Sequence, residues 1–316
     1  MIIRLGYVAN ALRLEKATPS GTVTYKAISK IPAYQDRVSR LTRIALKNLE
    51  NTLRILKANS FDKIQVYRFT SKLVPLVTHP AFCSWDFRSD LSEAFQRVGD
   101  FVKENRMRVS LHPDHFTLLN SPTPEVLQAA LRDLDYHTDL LEAMGLDNSA
   151  KLVIHVGGRY HDRNQALARF KEQFSRLPQR IKDRLTLEND DRCFTAAEVL
   201  QLTKEIGIPM VLDIHHHQIL NNGEPLAKLL PEVFATWKGL PPKVHISSPR
   251  DENNPRYHAD FICATTVANL IRLTQNLGQN FDIMIEAKKK DLALFKLGDD
   301  LRQRGFNLPD PGRISL

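Results

Sequence analysis

Eight short apolar runs recur along the chain, and each is followed by a segment with helical periodicity. The runs are residues 3–9, 63–69, 108–112, 151–157, 185–190, 210–216, 243–248 and 281–287. The intervening amphipathic stretches include residues 43–59, 92–105 and 196–207, the last of which ends in Gly207 before Pro209. Strands that alternate with helices predict a parallel sheet, and eight is the number that closes a (β/α)8 barrel.

The alternative is an open, doubly wound sheet, which would be expected to carry a glycine-rich GxGxxG motif after an early strand. No such motif is present, and the pair Gly157 and Gly158 does not have its spacing. We therefore predict an α/β fold with a single TIM-barrel domain over residues 1–316, in which residues 305–316 form a loosely anchored tail.

Histidine and carboxylate residues lie near the C-terminal ends of six successive runs. They are His112, His155, Glu188, Asp213 with His216, His245 and Glu286. In a barrel these strand ends meet at one face, where active sites lie. The alternation of side chains along a strand also places Lys243 on the same face as His245. Any one of these residues could be a hydrogen-bonded core residue or an ion-pair partner, but six in order predict a shared site.

The chemistry of these side chains indicates a metal centre. Buried charges need partners, so converging carboxylates and imidazoles imply a cation between them. The three scattered cysteines form no CxxC pair, which argues against a cysteine–zinc site. Imidazole and carboxylate ligands suit zinc, manganese or iron, and the number of ligands exceeds what one ion needs. Clustered ions are typical of in-line displacement at phosphorus.

The charge of the chain suits a polyanionic partner. The formal net charge is +8 and the isoelectric point is about 9.4, and neutralising phosphates releases condensed counterions. With the metal cluster, this excess favours phosphodiester hydrolysis. No apolar run reaches the ~18 residues of a membrane span, and the scattered cysteines indicate a reducing compartment. We expect a cytoplasmic, nucleoid-associated protein with no obligate protein partner.

Ten motifs in order make the chain similar to the UV damage endonucleases, relatives of the endonuclease IV barrel. They are RLGYVAN, NLENTLRIL, YRFTSKLVPLVTHP, HPDHFTL, YHTDLLEAMG, IHVGG, LENDD, DIHHH, KVHISSPR and MIEAKKKD, within residues 3–303. The resemblance implies an endonuclease that nicks double-stranded DNA immediately 5′ of UV photoproducts, leaving 3′-hydroxyl and 5′-phosphate ends. It implies manganese as the cofactor, with two or three ions; zinc and magnesium are the alternatives.

The resemblance also implies a full set of site residues. The metal ligands are His79, His112, His155, Glu188, Asp213, His216, His245, His258 and Glu286. His79 and His258 come from the resemblance alone, because both lie in expected loops. Glu188, Glu286, Lys243 and His245 are the expected catalytic residues. Lys243 can be carboxylated in this family, although an ion pair with a carboxylate is the simpler role for it. His215 and His217 match no ligand position, and we expect neither to bind metal.

Four residues are expected at the DNA. In HPDHF, the pair His115 and Phe116 matches residues that enter the duplex where the damaged dinucleotide is flipped out. The family commonly has glutamine at the first of these positions, and histidine lacks the donor–acceptor pair of an amide, so this chain departs from the family pattern at a residue expected to contact the lesion. Tyr7 and Asn10 match a motif on the first strand near the site.

Three other functions remain as alternatives. An abasic-site endonuclease of the endonuclease IV type would share the barrel and the metal cluster. A metal-dependent sugar isomerase would also be a barrel, but it would need fewer histidines and no basic surface. A DNA-binding module without catalysis would not need nine converging ligands.

Overall fold

The computed structural model describes residues 1–316 and contains a closed barrel of eight parallel strands. The strands are β1 (Ile2–Val8), β2 (Val66–Arg68), β3 (Arg108–Leu111), β4 (Lys151–His155), β5 (Leu185–Glu188), β6 (Met210–Asp213), β7 (Lys243–Ile246) and β8 (Phe281–Ile285). Each strand pairs in parallel with the next, and β1 pairs with both β2 and β8. The prediction of a (β/α)8 TIM barrel is confirmed.

The barrel closes at a glycine on β1. Gly6 pairs with Val66 of β2 on one side and with Met284 of β8 on the other. A Cβ atom at Gly6 would lie 2.5 Å from the carbonyl oxygen of Val66, closer than any side chain tolerates. A residue without a side chain is therefore required at this position of β1.

The last residues of the chain are an extension of the sheet. Strand β9 (Asn307–Asp310) pairs with β10 (Arg313–Ser315), and β10 runs antiparallel to β1 with Ile3 opposite Ile314. Ile314 is fully buried. The expectation that residues 305–316 form a loosely anchored tail is wrong: the backbone of this segment is tied into the sheet, and its apolar side chain is buried in the core.

Helices surround the barrel. They are α1 (Tyr25–Ile28), α2 (Tyr34–Phe61), α3 (Phe87–Asp90), α4 (Ser92–Glu104), α5 (Pro124–Ala143), α6 (Arg163–Arg176), α7 (Gln179–Lys182), α8 (Ala196–Ile206), α9 (Ile214–Ile219), α10 (Leu226–Ala235), α11 (Ala264–Thr274) and α12 (Lys290–Gln303). Helix α8 shows how the sequence sets its ends. Thr195 and Glu198 form a capping box at its start, and Gly207 ends it in the left-handed conformation. None of the helices is both long and apolar enough to cross a lipid bilayer.

The main core lies between the sheet and the helices. One cluster of 75 buried hydrophobic residues extends around the whole barrel, so every strand is supported from the helix side. The N-terminal end of the barrel interior is closed by polar side chains instead. Asp282 is fully buried and accepts hydrogen bonds from Arg4 and Arg108. This ion network fixes one end of the barrel, and the C-terminal end is left for the candidate site.

Candidate metal centre

Glu188, the last residue of β5, lies at the middle of a group of histidines. Its Oε2 atom accepts a hydrogen bond from His112 Nε2 at 2.9 Å, and its Oε1 atom accepts one from His245 Nδ1 at 2.7 Å. His155 Nε2 lies 3.8 Å from Oε2. These three histidines come from β4, β7 and the residue after β3, so the ends of these strands converge on one carboxylate.

Asp213 and His216 are brought together by the start of a short helix. Asp213 ends β6 and is the N-cap of α9, where its Oδ1 atom accepts a hydrogen bond from the backbone N–H of His216 at 2.8 Å. An N-cap side chain bonds the residue two or three positions later, which explains the spacing in the sequence DIHH. His216 Nδ1 lies 3.8 Å from the second carboxylate oxygen of Asp213.

Glu286 follows β8 and completes the group. Its Oε1 atom lies 3.1 Å from His245 Nδ1 and also contacts Arg68 Nη1 in an ion pair. Three sets of residues have ligand atoms within 4.8 Å of one another: His112–His155–Glu188, Glu188–Asp213–His216 and Glu188–His245–Glu286. Glu188 belongs to all three, so the structure forms one continuous cluster.

Two of the nine expected ligands are outside these sets. His79 caps the 3₁₀ turn Pro80–Phe82, where its Nδ1 atom accepts from Ala81 N, and its ring stacks on Tyr25 with the centroids 4.0 Å apart. His258 pairs with Pro249 in an isolated β-bridge. Burial lowers the pKa of His258, and Glu286 and His216 are near enough to influence it, so this histidine lies beside the cluster.

Several atoms of the cluster are buried without a hydrogen-bond partner. They are Asp213 Oδ2, His245 Nε2 and His155 Nδ1. Leaving such atoms unsatisfied is costly, and all are of the type that binds divalent ions. The residues present therefore fit a site for metal ions, and the thiolate ligands of a cysteine site are absent from it.

The electrostatics of the cluster show strong mutual influence. Burial alone would raise the pKa of Glu188, but His245 and His112 outweigh it and hold that pKa well below its usual range. Burial, followed by the charges of Glu188 and Glu286, raises the pKa of Asp213 to about 7. Burial opposes protonation of His245, yet Glu188 and Glu286 raise its pKa to about 9.

Lys243 is buried at the start of β7, two residues before His245. Its Nζ atom donates a hydrogen bond to Ser110 Oγ at 3.1 Å, and burial, followed by the charge of Arg108, lowers its pKa to about 7. The lysine does not form the ion pair with a carboxylate that was the simpler expectation. Its amine lies inside the barrel instead, and the lowered pKa favours the uncharged form.

The structure adds two positioning residues that the sequence did not single out. The side-chain amide of Asn189 accepts from the backbone N–H of Asp213 at 2.9 Å and donates to its carbonyl oxygen at 3.0 Å. The backbone carbonyl oxygen of Asn189 accepts from His216 Nδ1 at 2.9 Å. Arg68, at the end of β2, holds Glu286. Both residues lie near the C-terminal end of a predicted run, 63–69 for Arg68 and 185–190 for Asn189, and that position was the only available signal.

The loop after β3 carries the two residues expected to enter DNA. His115 and Phe116 are both exposed, with their ring centroids 5.9 Å apart, and 47% of the Phe116 surface is accessible. Two hydrogen bonds to Asp114 stabilise the loop: Ser71 Oγ donates to its carboxylate, and the backbone N–H of Thr117 donates to its carbonyl oxygen. Asn10, just after β1, is half-buried, and its Oδ1 atom has no partner.

Tyr7 is a core residue. It is fully buried between the sheet and α2, and its hydroxyl donates to Asn59 Oδ1 at 2.6 Å. Burial raises the pKa of its phenol. Tyr7 has no surface with which to contact DNA in this structure, so its expected DNA-binding role is corrected to support of β1. The period-2 pattern explains the difference, since Tyr7 pairs with Ile285, which also packs towards the helices.

The two histidines adjacent to His216 in the sequence, His215 and His217, are buried. His217 donates from Nε2 to the carbonyl oxygen of Glu224 at 3.0 Å, which fastens the loop after α9. His215 is buried with its ring edge-on to His258, at a centroid distance of 5.8 Å. Neither belongs to a set of candidate ligands.

Comparison with known proteins gives one consistent result. The family model described as UV-endonuclease UvdE matches residues 3–313. The UV DNA damage endonuclease of Bacillus cereus strain B4264 is 41% identical over 303 residues, which cover 95% of each chain. The crystal structure of SacUVDE is similar with a TM-score of 0.85 and 33% identity, covering 96% of this chain and 99% of that one. Endonuclease IV from Thermus thermophilus shares the fold, with a TM-score of 0.53 at 12% identity over 90% and 93% of the two chains.

Proposed function

Because the chain belongs to the UV-endonuclease UvdE family, we propose that it nicks double-stranded DNA immediately 5′ of UV photoproducts. The products would be a 3′-hydroxyl and a 5′-phosphate. The observation that carries this proposal is the cluster around Glu188, in which carboxylates and imidazoles from the ends of several strands meet at the barrel mouth. The family match and this cluster together favour an endonuclease over a sugar isomerase or a non-catalytic DNA-binding module.

We propose that the cluster binds two or three manganese ions, with zinc and magnesium as alternatives. The ligands would be His79, His112, His155, Glu188, Asp213, His216, His245, His258 and Glu286. Bound divalent ions would activate water and neutralise the phosphate. The role of the chain is to hold these side chains in place: α9 orients Asp213, Asn189 fixes the backbone beneath it, and Arg68 holds Glu286.

Lys243 and His245 are the other proposed catalytic residues. A neutral amine is the form that reacts with carbon dioxide to give a carbamate, and the pKa of Lys243 is lowered to about 7 by burial. Carboxylation would convert the Lys243 amine into an anion. The hydrogen bond to Ser110 holds this amine in the barrel interior, on the strand that carries His245.

We propose that the exposed face around the cluster binds the damaged duplex. His115 and Phe116 project from this face and would occupy the space left by the flipped dinucleotide. The unpartnered Oδ1 atom of Asn10 offers a further polar contact. A chromosomal substrate would place the protein with the nucleoid in the cytoplasm, and no obligate protein partner is needed for this chemistry.

The test is a nicking assay on supercoiled plasmid. Irradiated plasmid should be relaxed in the presence of manganese, and chelator should stop the reaction. Plasmid with abasic sites but no photoproducts is the second substrate, because an abasic-site endonuclease would prefer it. End analysis of the cut strand should show a 3′-hydroxyl. Preference for the abasic plasmid would replace the proposal with the endonuclease IV type of activity.

A further inference from the structure

Three consecutive lysines lie beside the candidate metal centre. Lys288, Lys289 and Lys290 follow Glu286 after the end of β8. The backbone N–H of Lys288 donates to the carbonyl oxygen of Ala259 at 3.0 Å, and that of Lys289 donates to the carbonyl oxygen of Asp260 at 3.1 Å. These two hydrogen bonds tie the lysine segment to the loop that follows β7. The ammonium groups are therefore carried by a fixed backbone at the mouth of the barrel.

The three ammonium groups have no partner within the chain. None makes a hydrogen bond or lies within the 4.0 Å that defines an ion pair. Lys296, further along the same helix, behaves differently and pairs with Asp300 at 2.9 Å. Asp291, the next residue in the sequence, does not pair with these lysines; its carboxylate accepts a hydrogen bond from the backbone N–H of Leu12 at 2.7 Å. The lysine segment thus presents unneutralised positive charge.

Further observations point to an anion at this position. Lys290 has a positive φ of 49°, a conformation that costs energy in a residue with a side chain and that concentrates at functional sites. Burial and then the charge of Arg68 lower the pKa of Lys290, while the charge of Glu286 raises it. Glu286 is already ion-paired with Arg68, so a further negative group bound beside the lysines would reduce the repulsion among these cations.

We propose that Lys288, Lys289 and Lys290 bind backbone phosphates of the DNA strand next to the metal centre. This inference rests on the proposed nuclease function. In TIM barrels, phosphate groups are frequently bound by the loops after the seventh and eighth strands, and the lysine segment joins these two loops. Lysine suits such contacts because its ammonium group is a point charge that needs no fixed geometry. The ligand class is therefore a phosphodiester chain, recognised without regard to sequence.

The test measures binding of an undamaged fluorescent duplex in chelator, so that no cutting occurs. Each lost phosphate contact reduces the magnitude of the slope of log affinity against log salt by about 0.9. If each lysine neutralises one phosphate, the triple variant Lys288→Gln, Lys289→Gln, Lys290→Asn should reduce that magnitude by about 2.7, which is about 500-fold in affinity near 0.1 M salt. Asparagine is chosen at position 290 because it tolerates a positive φ.

Two control proteins separate charge from folding. Lys296→Gln removes one positive charge from the same helix outside the segment and should leave the slope unchanged. Replacing the three lysines with arginine keeps the charge and should retain the wild-type slope. If the triple variant does not fold, Lys288→Gln alone, at the most exposed position, should lower the slope by about 0.9.

A wild-type slope in a folded triple variant, or in Lys288→Gln, would overturn the lysine site. Failure of the nuclease proposal would look different, because wild-type protein would then leave irradiated plasmid intact. A second experiment uses inorganic phosphate as a competitor of duplex binding. If millimolar phosphate displaces the duplex but the lysine variants bind the duplex as the wild type does, DNA is not the ligand of the lysines.

Discussion

The carboxylate of Glu188 and the imidazole of His245 meet across the barrel, with Oε1 and Nδ1 2.7 Å apart. Their strands, β5 and β7, are not neighbours in the sheet, since β6 lies between them. The contact is therefore made by side chains that point into the barrel from separate strands. Both side chains are almost fully buried, and the charge of each one stabilises the charged form of the other.

We expect Glu188→Gln to lose nicking by at least about 100-fold, since residues that only support metal ligands already cost about 10- to 100-fold. Glutamine keeps the size of the side chain but removes the charge shared by three sets of candidate ligands. Plasmid nicking at saturating manganese and metal content by atomic emission are the measurements. Glu205→Gln, at an exposed carboxylate paired with Lys171, is the matched control. Nicking near the wild-type rate would show that Glu188 holds no essential ion.

His245 should contribute a loss of stability to the metal-free protein as the pH rises from about 6.5 to about 9. The pKa of His245 is raised from 6.5 to about 9, chiefly by Glu188 once burial is overcome. A raised pKa means that the folded state binds the proton more tightly. The stabilising contribution is thus complete below the unfolded value of 6.5 and is lost as the pH passes through the folded value.

Urea unfolding in chelator at a series of pH values measures this effect as the free energy of unfolding. Asp213 should also make the metal-free protein less stable as the pH rises, but over the lower range from 3.8 to about 7, because its pKa is raised between these values. Manganese should reverse the trend, because metal ions compete with protons for the same atoms. His245→Gln should reduce the dependence between about 6.5 and about 9 and leave the part contributed by His216, whose pKa is also raised to about 9; an unchanged slope in this variant would contradict the assignment.

The sequence predicts the barrel and most of the cluster because both obey simple periodicities. Strand ends in a parallel barrel meet at one face, so His155, Glu188 and Asp213 could be assigned to a common site from their positions alone. His79 and His258 could not, because loop residues have no period that fixes where their side chains point. For these two only the family resemblance carried information, and the structure leaves both outside the three sets of converging ligand atoms.

The errors have physical reasons of the same kind. Tyr7 lies near the end of β1, but its parity directs it towards the helices rather than the barrel mouth. The final segment was expected to be a tail, yet Ile314 pairs with Ile3 of β1, a contact between the two ends of the chain that no local pattern predicts. Arg68 and Asn189 act through contacts between distant parts of the chain, and no local pattern encodes such contacts.

Lys243→Met should lower nicking on the order of 10- to 100-fold, as expected for a residue that supports metal ligands. Methionine fills the same buried space without the amine, so a carbamate cannot form. Carbon-13 NMR of protein equilibrated with labelled bicarbonate should show a carbamate signal in the wild type and none in the variant. Lys151→Met is the control, because Lys151 is also buried at the start of its strand but its Nζ atom donates to the carbonyl oxygen of Asp183 instead of to Ser110. A persistent signal in Lys243→Met would place the carbamate elsewhere.

His115→Gln should keep nicking while changing the preference between photoproducts. Glutamine offers both a donor and an acceptor on one amide, whereas a neutral imidazole offers one of each on opposite sides of its ring. His115 is exposed, so the exchange should not disturb the fold. Rates on duplexes with a single cyclobutane dimer or a single 6-4 photoproduct are the measurement. An unchanged ratio of the two rates would mean that His115 does not read the lesion.

Phe116→Ala should weaken binding to damaged duplex more than binding to undamaged duplex. Flipping a dinucleotide leaves a gap in the base stack, and stacking of an aromatic ring on a base contributes about 1–3 kcal/mol. The expected loss is therefore about 5- to 150-fold for damaged DNA. Because 47% of the Phe116 surface is exposed, the substitution should cost little stability and leave the metal content unchanged. Phe61→Ala removes a ring that is 86% exposed at the end of α2, outside the loop after β3, and should affect neither duplex. Equal losses on damaged and undamaged DNA would show that Phe116 supports its loop or contacts the backbone, and does not fill the gap.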